Sequence, residues 1–98
     1  MKTFHAAVLV LVVWYLMTPP PDVSGAPRMS APYSEWFQSD PFKTLAECLT
    51  FKGDVIKRAP AYYRSQGADA QRLERLIAGD QAARCVSDDD PLLKENLR

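Results

Sequence analysis

One apolar run near the N-terminus constrains the fold of this chain more than any other feature. It extends from Phe4 to Met17 and is broken only by His5. As a helix, its 14 residues would span roughly 21 Å at about 1.5 Å per residue, less than the roughly 30 Å hydrocarbon core of a bilayer. Three prolines at residues 19–21 would then end the helix. Because the run is apolar on every side, it predicts an N-terminal hydrophobic helix rather than part of a soluble domain.

Two interpretations of this helix are open, and both predict an exported protein. A short apolar run followed by small residues at positions 24–26 is typical of a secretory signal peptide, here cleaved after Gly25 or Ala26. The alternative is an uncleaved anchor, in which residues 4–17 tether the protein to the inner membrane. The rings of Trp14 and Tyr15 would then lie at the membrane interface. The protein is therefore expected in the periplasm, outside the cell or on the membrane.

Proline content and charge describe the rest of the chain. We assign residues 1–26 to the signal peptide or anchor, residues 27–32 to an extended proline-rich linker, and residues 33–98 to one small domain. The chain has 12 Lys and Arg against 12 Asp and Glu, so its formal net charge is zero. A neutral chain without a basic face gives no reason to expect a nucleic acid as a partner.

Capping residues predict three helices in the small domain. Thr44 and Glu47 form a T-x-x-E capping box, which predicts a helix that begins after Thr44 and ends or kinks at Pro60. Asp69 is the predicted N-cap of a second helix. The Asp-Pro pair at residues 90 and 91 predicts a short third helix near the C-terminus.

Two short segments predict a small sheet. In an extended conformation, alternate residues of the segment 33–38 would point to opposite sides. Phe37 would then lie on one side and Trp36 on the other, which favours a short strand with an aromatic ring on each face. Cys85 and Val86 are a second candidate strand that would pair with it. The predicted fold is therefore mainly α with a short two-stranded β element, a small α+β domain.

The two cysteines, Cys48 and Cys85, predict one disulfide. An even cysteine count in an exported chain favours a crosslink, which would close a loop of 38 residues. The loop-entropy model gives such a crosslink about 4 kcal/mol of stabilisation. Free or intermolecular thiols and metal or redox chemistry are the alternatives. If the protein were not exported, two inert buried thiols would be expected instead.

Several chemistries are excluded by the residues that the chain lacks. Its single histidine, His5, lies in the predicted export segment, so imidazole catalysis and histidine-based zinc sites are not expected. The four glycines are scattered and form no phosphate-binding loop, so no nucleotide cofactor is expected. Residues 88–90 are three consecutive aspartates without the spacing of a calcium loop, and we predict a turn and helix cap there. We predict no cofactor, no metal and no enzymatic activity. A carboxylate pair for glycoside hydrolysis is the alternative, although so small a domain offers little room for a deep cleft.

Aromatic side chains give the one candidate binding surface. Trp36, Phe37, Tyr62 and Tyr63 are many large rings for a domain of this size, and an exposed cluster of them would bind a partner. The alternative is that two or three of these rings build the core while the others lie singly on the surface.

Short motifs in this chain resemble those of a loose set of small exported bacterial proteins of unknown function. That set shares a W-Y-L-M segment followed by prolines, a W…F-x-T-x-x-x-C segment, and a C-[VI]-x-[ST]-D-D-P tail. The matching positions are residues 14–17, Trp36, Phe42, Thr44, Cys48, Cys85 and residues 88–91. Lys43 stands where the set often carries Asp. The resemblance implies export and paired cysteines, and it brings no activity, cofactor or partner.

Together these features predict a small exported protein that acts by binding a protein or a small molecule rather than by catalysis. The alternative is a small inhibitor or immunity-type protein that blocks a secreted enzyme.

Overall fold

A computed structural model of the chain describes residues 12–96, which form a small α+β fold. Three antiparallel strands make one sheet with the order β2-β1-β3. The strands are β1 (Trp14–Thr18), β2 (Phe37–Gln38) and β3 (Arg84–Ser87). The helices are a 3-10 turn (Tyr33–Glu35), α1 (Leu45–Ser65), α2 (Ala70–Ala82) and α3 (Pro91–Asn96). The prediction of a small α+β fold is confirmed, but the sheet has three strands instead of two.

The end of the apolar run is the central strand of this sheet. Leu16 pairs with Cys85 of β3, and Met17 pairs with Gln38 of β2. Leu16 and Met17 point to opposite faces, and both are buried. A strand that is buried on both faces has a nearly continuous apolar sequence. In so short a run, the pattern of apolar residues does not distinguish such a strand from a buried helix. The prediction of a helix through Met17 is therefore wrong for Trp14–Thr18.

The position of β1 bears on the predicted export segment. The part of the predicted helix and membrane tether that precedes residue 12 lies outside the described residues. Within residues 12–96, no helix is both long and apolar enough to cross a bilayer. A cut after Gly25 or Ala26 would remove β1, and with it the strand that joins β2 to β3. Export and cleavage both stay predictions, and a chain cut at either site would lack the central strand described here.

The segment that follows β1 is held by local hydrogen bonds. The Asp22 carboxylate accepts hydrogen bonds from the Ser24 and Ala26 amides, and Arg28 N–H donates to the Pro20 carbonyl at 2.8 Å. Ala31 belongs to the hydrophobic core. Ala31 lies in the segment 27–32 that we assigned to a linker, so this segment contributes one side chain to the cluster on that face of the sheet.

Each face of the sheet has its own hydrophobic cluster. One face is covered by residues from the loop, the 3-10 turn and α3, and its buried members are Met17, Ala31, Trp36, Val86 and Leu93. The other face is covered by α1 and α2, and its buried members are Leu16, Cys48 and Ala83. The alternation of side chains along β1 explains why a single short strand contributes to both clusters.

The predicted disulfide between Cys48 and Cys85 is confirmed. Its two Cα atoms lie 6.0 Å apart, and it joins the first turn of α1 to β3. Cys48 is fully buried, so the crosslink lies inside the cluster between the helices and the sheet.

The predicted helix caps are also present. Thr44 Oγ1 accepts a 3.1 Å hydrogen bond from the Glu47 amide, and Asp69 Oδ1 accepts one of 2.8 Å from the Arg72 amide. The Glu47 carboxylate reaches back to Lys43 N–H. Pro60 does not end α1, which continues to Ser65. The missing N–H costs one helical hydrogen bond, but packing of this half of α1 against α2 stabilises the continued helix.

Candidate functional site: a groove beside the edge strand

Strand β2 lies at the edge of the sheet, and its helix-facing side is largely uncovered. Helix α1 contacts β1 and β3, which lie further from this edge. The strand register places Phe37 opposite Thr18, so both side chains point to the face that carries the helices. Phe37 is nevertheless 76% exposed. The strip of sheet that α1 leaves uncovered forms a groove between β2 and the helices.

This groove, which we name the edge groove, has a volume of about 690 Å³. It is lined by residues of β1, of the segment 37–40, and of α1 and α2: Leu16, Thr18, Phe37, Gln38, Ser39, Asp40, Phe51, Val55, Tyr63 and Asp80. Its lining is largely apolar, with Leu16 contributed by β1 and Val55 by α1. The volume is within the usual range of ligand-binding clefts.

A tyrosine–aspartate pair lies at the helical side of the edge groove. The Tyr63 hydroxyl donates a 2.7 Å hydrogen bond to Asp80 Oδ2. Asp80 is only 9% exposed and is the buried polar residue of the described core. Burial raises the pKa of the Asp80 carboxyl above its ordinary value, and the hydrogen bond from Tyr63 opposes part of that rise.

At neutral pH, the Tyr63 hydroxyl is the donor and the Asp80 carboxylate is the acceptor of this hydrogen bond. Burial and the adjacent Asp80 carboxylate raise the pKa of the Tyr63 phenol well above its usual value. The phenol therefore keeps its proton and remains the donor. Such a pair can orient a bound group, but it does not supply a base or a nucleophile on the tyrosine side.

The turn between the two helices brings this pair together. Gly67 has a positive φ of 88°, a conformation that favours glycine. Its amide donates to the Arg64 carbonyl, and the Ala68 amide donates to the Tyr63 carbonyl at 3.0 Å. This left-handed turn ends α1 and directs the chain into α2, as the position of Gly67 favours.

The charged residues that line the edge groove are acidic. Asp40 follows β2, and Asp80 belongs to α2. Ser39, which comes directly before Asp40, is fixed from both sides. Its hydroxyl accepts from the Leu16 amide at 2.8 Å and donates to the Asp40 carbonyl at 2.8 Å. The groove therefore combines a largely apolar lining with two carboxylates.

The four aromatic residues predicted as a binding surface do not form one surface. Phe37 and Tyr63 line the edge groove. Tyr62 is exposed beside them, with its ring 5.5 Å from that of Tyr63. Trp36 lies on the opposite face of the sheet, where it is buried and its Nε1–H donates to the Ala31 carbonyl at 2.8 Å. The structure thus separates Trp36 from the other three because successive residues of an extended chain point in opposite directions.

Asp80 is the groove residue that the sequence analysis missed. It lies three and four residues after Ile77 and Leu76, on the apolar side of α2. A carboxylate at a core-facing helical position is unusual, and this position was the signal that could have identified it. Phe51 and Val55 gave no such signal, because an apolar residue at helical spacing is normally assigned to the core.

A second cavity lies on the other face of the sheet, beside Trp36. It has a volume of about 360 Å³ and is lined by residues of the loop, the 3-10 turn, β3 and α3: Met29, Ala31, Pro32, Tyr33, Trp36, Arg84 and Leu92. The Arg84 guanidinium lies 5.6 Å from the centre of the Trp36 ring. This cation–π contact covers the core on that side.

The three consecutive aspartates have structural roles. The Asp88 carboxylate accepts from the Val13 amide at 3.3 Å, and the Asp90 carboxylate accepts from the Leu92 amide at 2.9 Å at the start of α3. The Asp89 carboxylate accepts from the Ser87 hydroxyl. Among residues 12–96, no group of three or more His, Cys, Asp or Glu side chains is arranged to hold a metal ion.

No family model, no curated protein and no solved structure matches this chain.

Proposed function

We propose that this protein is an exported binding protein, without catalytic activity, that holds a partner in the edge groove. The observation that carries the proposal is the exposure of Phe37 beside a groove with a largely apolar lining. A large ring that covers no part of its own core is a typical anchor in a protein interface. Phe51 is partly exposed on the other wall, so a partner would bury aromatic surface on both sides.

The Tyr63–Asp80 pair supports binding over catalysis. The phenol keeps its proton, so it offers a constant donor and no nucleophile at neutral pH. Asp80 is held by that donor at 2.7 Å and lies at the side of the groove, where it can accept a further hydrogen bond from a partner. These are the properties of an orienting group.

The disulfide supports the proposal of export. Crosslinks such as Cys48–Cys85 persist in oxidising compartments and are rare in the cytosol. In the exported form that we propose, β1 is retained, because both other strands pair with it. The intact mass of the protein from fractionated cells tests this. We expect an extracytoplasmic species that contains β1 and is about 2 Da lighter than its reduced form. A full-length cytosolic species with two alkylated thiols would contradict it.

Site-specific photo-crosslinking tests the edge groove. A benzophenone amino acid is placed at position 37 in one variant and at position 23 in a matched control. Val23 is also apolar and fully exposed, but it does not line the groove. We expect a discrete adduct of the same partner from position 37 only, identified by mass spectrometry in cells that express the protein. Equal adduct patterns from both positions would contradict the proposal. A secreted hydrolase as the adduct would assign the protein to the inhibitor class.

A further inference from the structure

We propose that the partner binds as an extended peptide added to the free edge of β2, with apolar side chains in the edge groove and a basic side chain at Asp40 and Asp80. This rests on the proposed function and names the chemistry of the partner. Three independent observations support it: the direction of the backbone groups of β2, the shape of the groove, and its charge.

The backbone of Gln38 is directed away from the sheet. Ser39 N–H donates to the Leu16 carbonyl at 3.1 Å, so residues 16 and 39 are a hydrogen-bonded position of the β1–β2 ladder. Such positions alternate along an antiparallel pair, which makes Gln38 and Met17 the non-bonded position between two bonded ones. The Gln38 N–H and C=O therefore point outward. Among the described residues, β1 is the strand that pairs with β2, so this outer edge can accept another strand.

Side chains of an added strand would enter the edge groove. On neighbouring strands, residues opposite each other share one face. The peptide residue opposite Phe37 would therefore point to the helix-facing side, and so would every second residue from it. This side is the uncovered strip between Phe37 and Val55. Apolar side chains there would cover Phe37, which is otherwise exposed.

Charge selects a basic side chain in the same peptide. Asp40 and Asp80 both line the groove, and among its lining residues they are the charged ones. The Tyr63 hydroxyl donates one hydrogen bond to Asp80 Oδ2, and a carboxylate can accept more than one hydrogen bond. A Lys or Arg from the peptide would bring the opposite charge to this largely buried acid.

The same charges argue against a second copy of this chain as the occupant. Residues 37–40 of a second copy would carry no Lys or Arg to this groove and would add a further carboxylate, Asp40. Charge complementarity across an interface favours a partner of opposite charge. A separate peptide of basic and apolar composition supplies that charge.

Selection from a peptide library tests the added strand. The probe is a displayed library of random peptides of about 12 residues, longer than a typical strand, selected against the full-length oxidised protein. We expect enriched sequences with apolar residues at alternate positions and at least one Lys or Arg. In the synthetic form of an enriched peptide, replacing the basic residue with Glu should weaken binding by about tenfold or more. N-methylation should abolish binding at the peptide amide that donates to the Gln38 carbonyl and be tolerated at the two amides beside it, because adjacent amides of a strand point in opposite directions.

Charge-neutral variants of the protein provide the matched control. Asp40→Asn and Asp80→Asn should each reduce the preference for a basic over an acidic peptide, whereas Glu74→Gln should not. Glu74 is an exposed acidic residue of α2 that does not line the edge groove. Asp40 is exposed, so its substitution is informative even if the Asp80 variant fails to fold.

The outcomes separate this inference from the proposed function. Peptides that bind equally well with Glu in place of the basic residue, or that show no alternation in the N-methyl scan, would overturn the added strand. If their binding still fell on Phe37→Ala, the edge groove would remain the binding site. Failure to enrich any peptide, or binding that is insensitive to Phe37→Ala, would overturn both.

Discussion

The Tyr63 hydroxyl and the Asp80 carboxylate are joined by a 2.7 Å hydrogen bond that links α1 to α2 beside the edge groove. The two residues are 17 positions apart, and Asp80 is buried. A buried carboxylate depends on such a donor, since an unsatisfied buried acceptor costs about 1–3 kcal/mol. The pair therefore contributes to stability and also shapes the proposed binding site.

Removal of this donor should destabilise the fold. We expect Tyr63→Phe to lower the free energy of unfolding by about 1–3 kcal/mol, because Asp80 loses its hydrogen bond. The adjacent Tyr62→Phe is the control, since Tyr62 is exposed, and its effect should stay within about 0.5 kcal/mol. Urea unfolding followed by circular dichroism measures both. Equal stabilities of the two variants would show that the Tyr63–Asp80 bond contributes nothing.

The raised pKa of Asp80 predicts a pH dependence of stability. The pKa of Asp80 in the folded protein lies above the ordinary value of 3.8. At pH values between these two pKa values, the folded state therefore binds more protons than the unfolded state. The contribution of Asp80 is complete below pH 3.8 and is lost as pH rises through its folded pKa. Asp80→Asn removes this titration. We expect the stability of the variant, relative to the native protein, to increase with pH across that interval.

Denaturant unfolding of both proteins over a pH series measures this effect. The control is Asp69→Asn, because asparagine caps a helix about as well as aspartate. A difference between native protein and Asp80→Asn that stays constant with pH would contradict the assignment.

The disulfide should account for a large share of the stability. Reduction of Cys48–Cys85 releases a closed loop of 38 residues, for which the loop-entropy model gives about 4 kcal/mol. We expect the reduced protein to unfold at a lower urea concentration by a corresponding amount. The Cys48→Ala, Cys85→Ala double variant should resemble the reduced protein and show no response to a reducing agent. Identical unfolding of oxidised and reduced protein would contradict this expectation.

Strand β1 should be indispensable to the fold. A chain that starts at Pro27 lacks β1, and we expect it to show no dispersed amide resonances by NMR, because β2 and β3 have no partner. In the full chain, Met17→Ala should cost about 2–5 kcal/mol. The control is Val23→Ala in the same predicted leader, which should have little effect because Val23 is fully exposed. A well-folded protein that starts at Pro27 would show that β1 is not part of the fold.

Local chemistry predicted much of the helical structure. Thr44 and Asp69 cap their helices as expected, because an N-cap depends on a few neighbouring backbone amides. The partner of Cys48 was also predictable, since the chain contains only one other cysteine. Pro60 shows the limit of such rules. Its local cost is real, but the packing of α1 on α2 outweighs it.

The sequence by itself determined the caps, the pairing of the cysteines and the apolar character of residues 14–17. Only the tertiary structure decided that this segment is the central strand, that Trp36 and Phe37 lie on opposite faces, and that Asp80 borders the edge groove. The reason is physical: caps and crosslinks depend on the nature of individual residues, whereas burial on two faces and the composition of a groove depend on which distant segments meet.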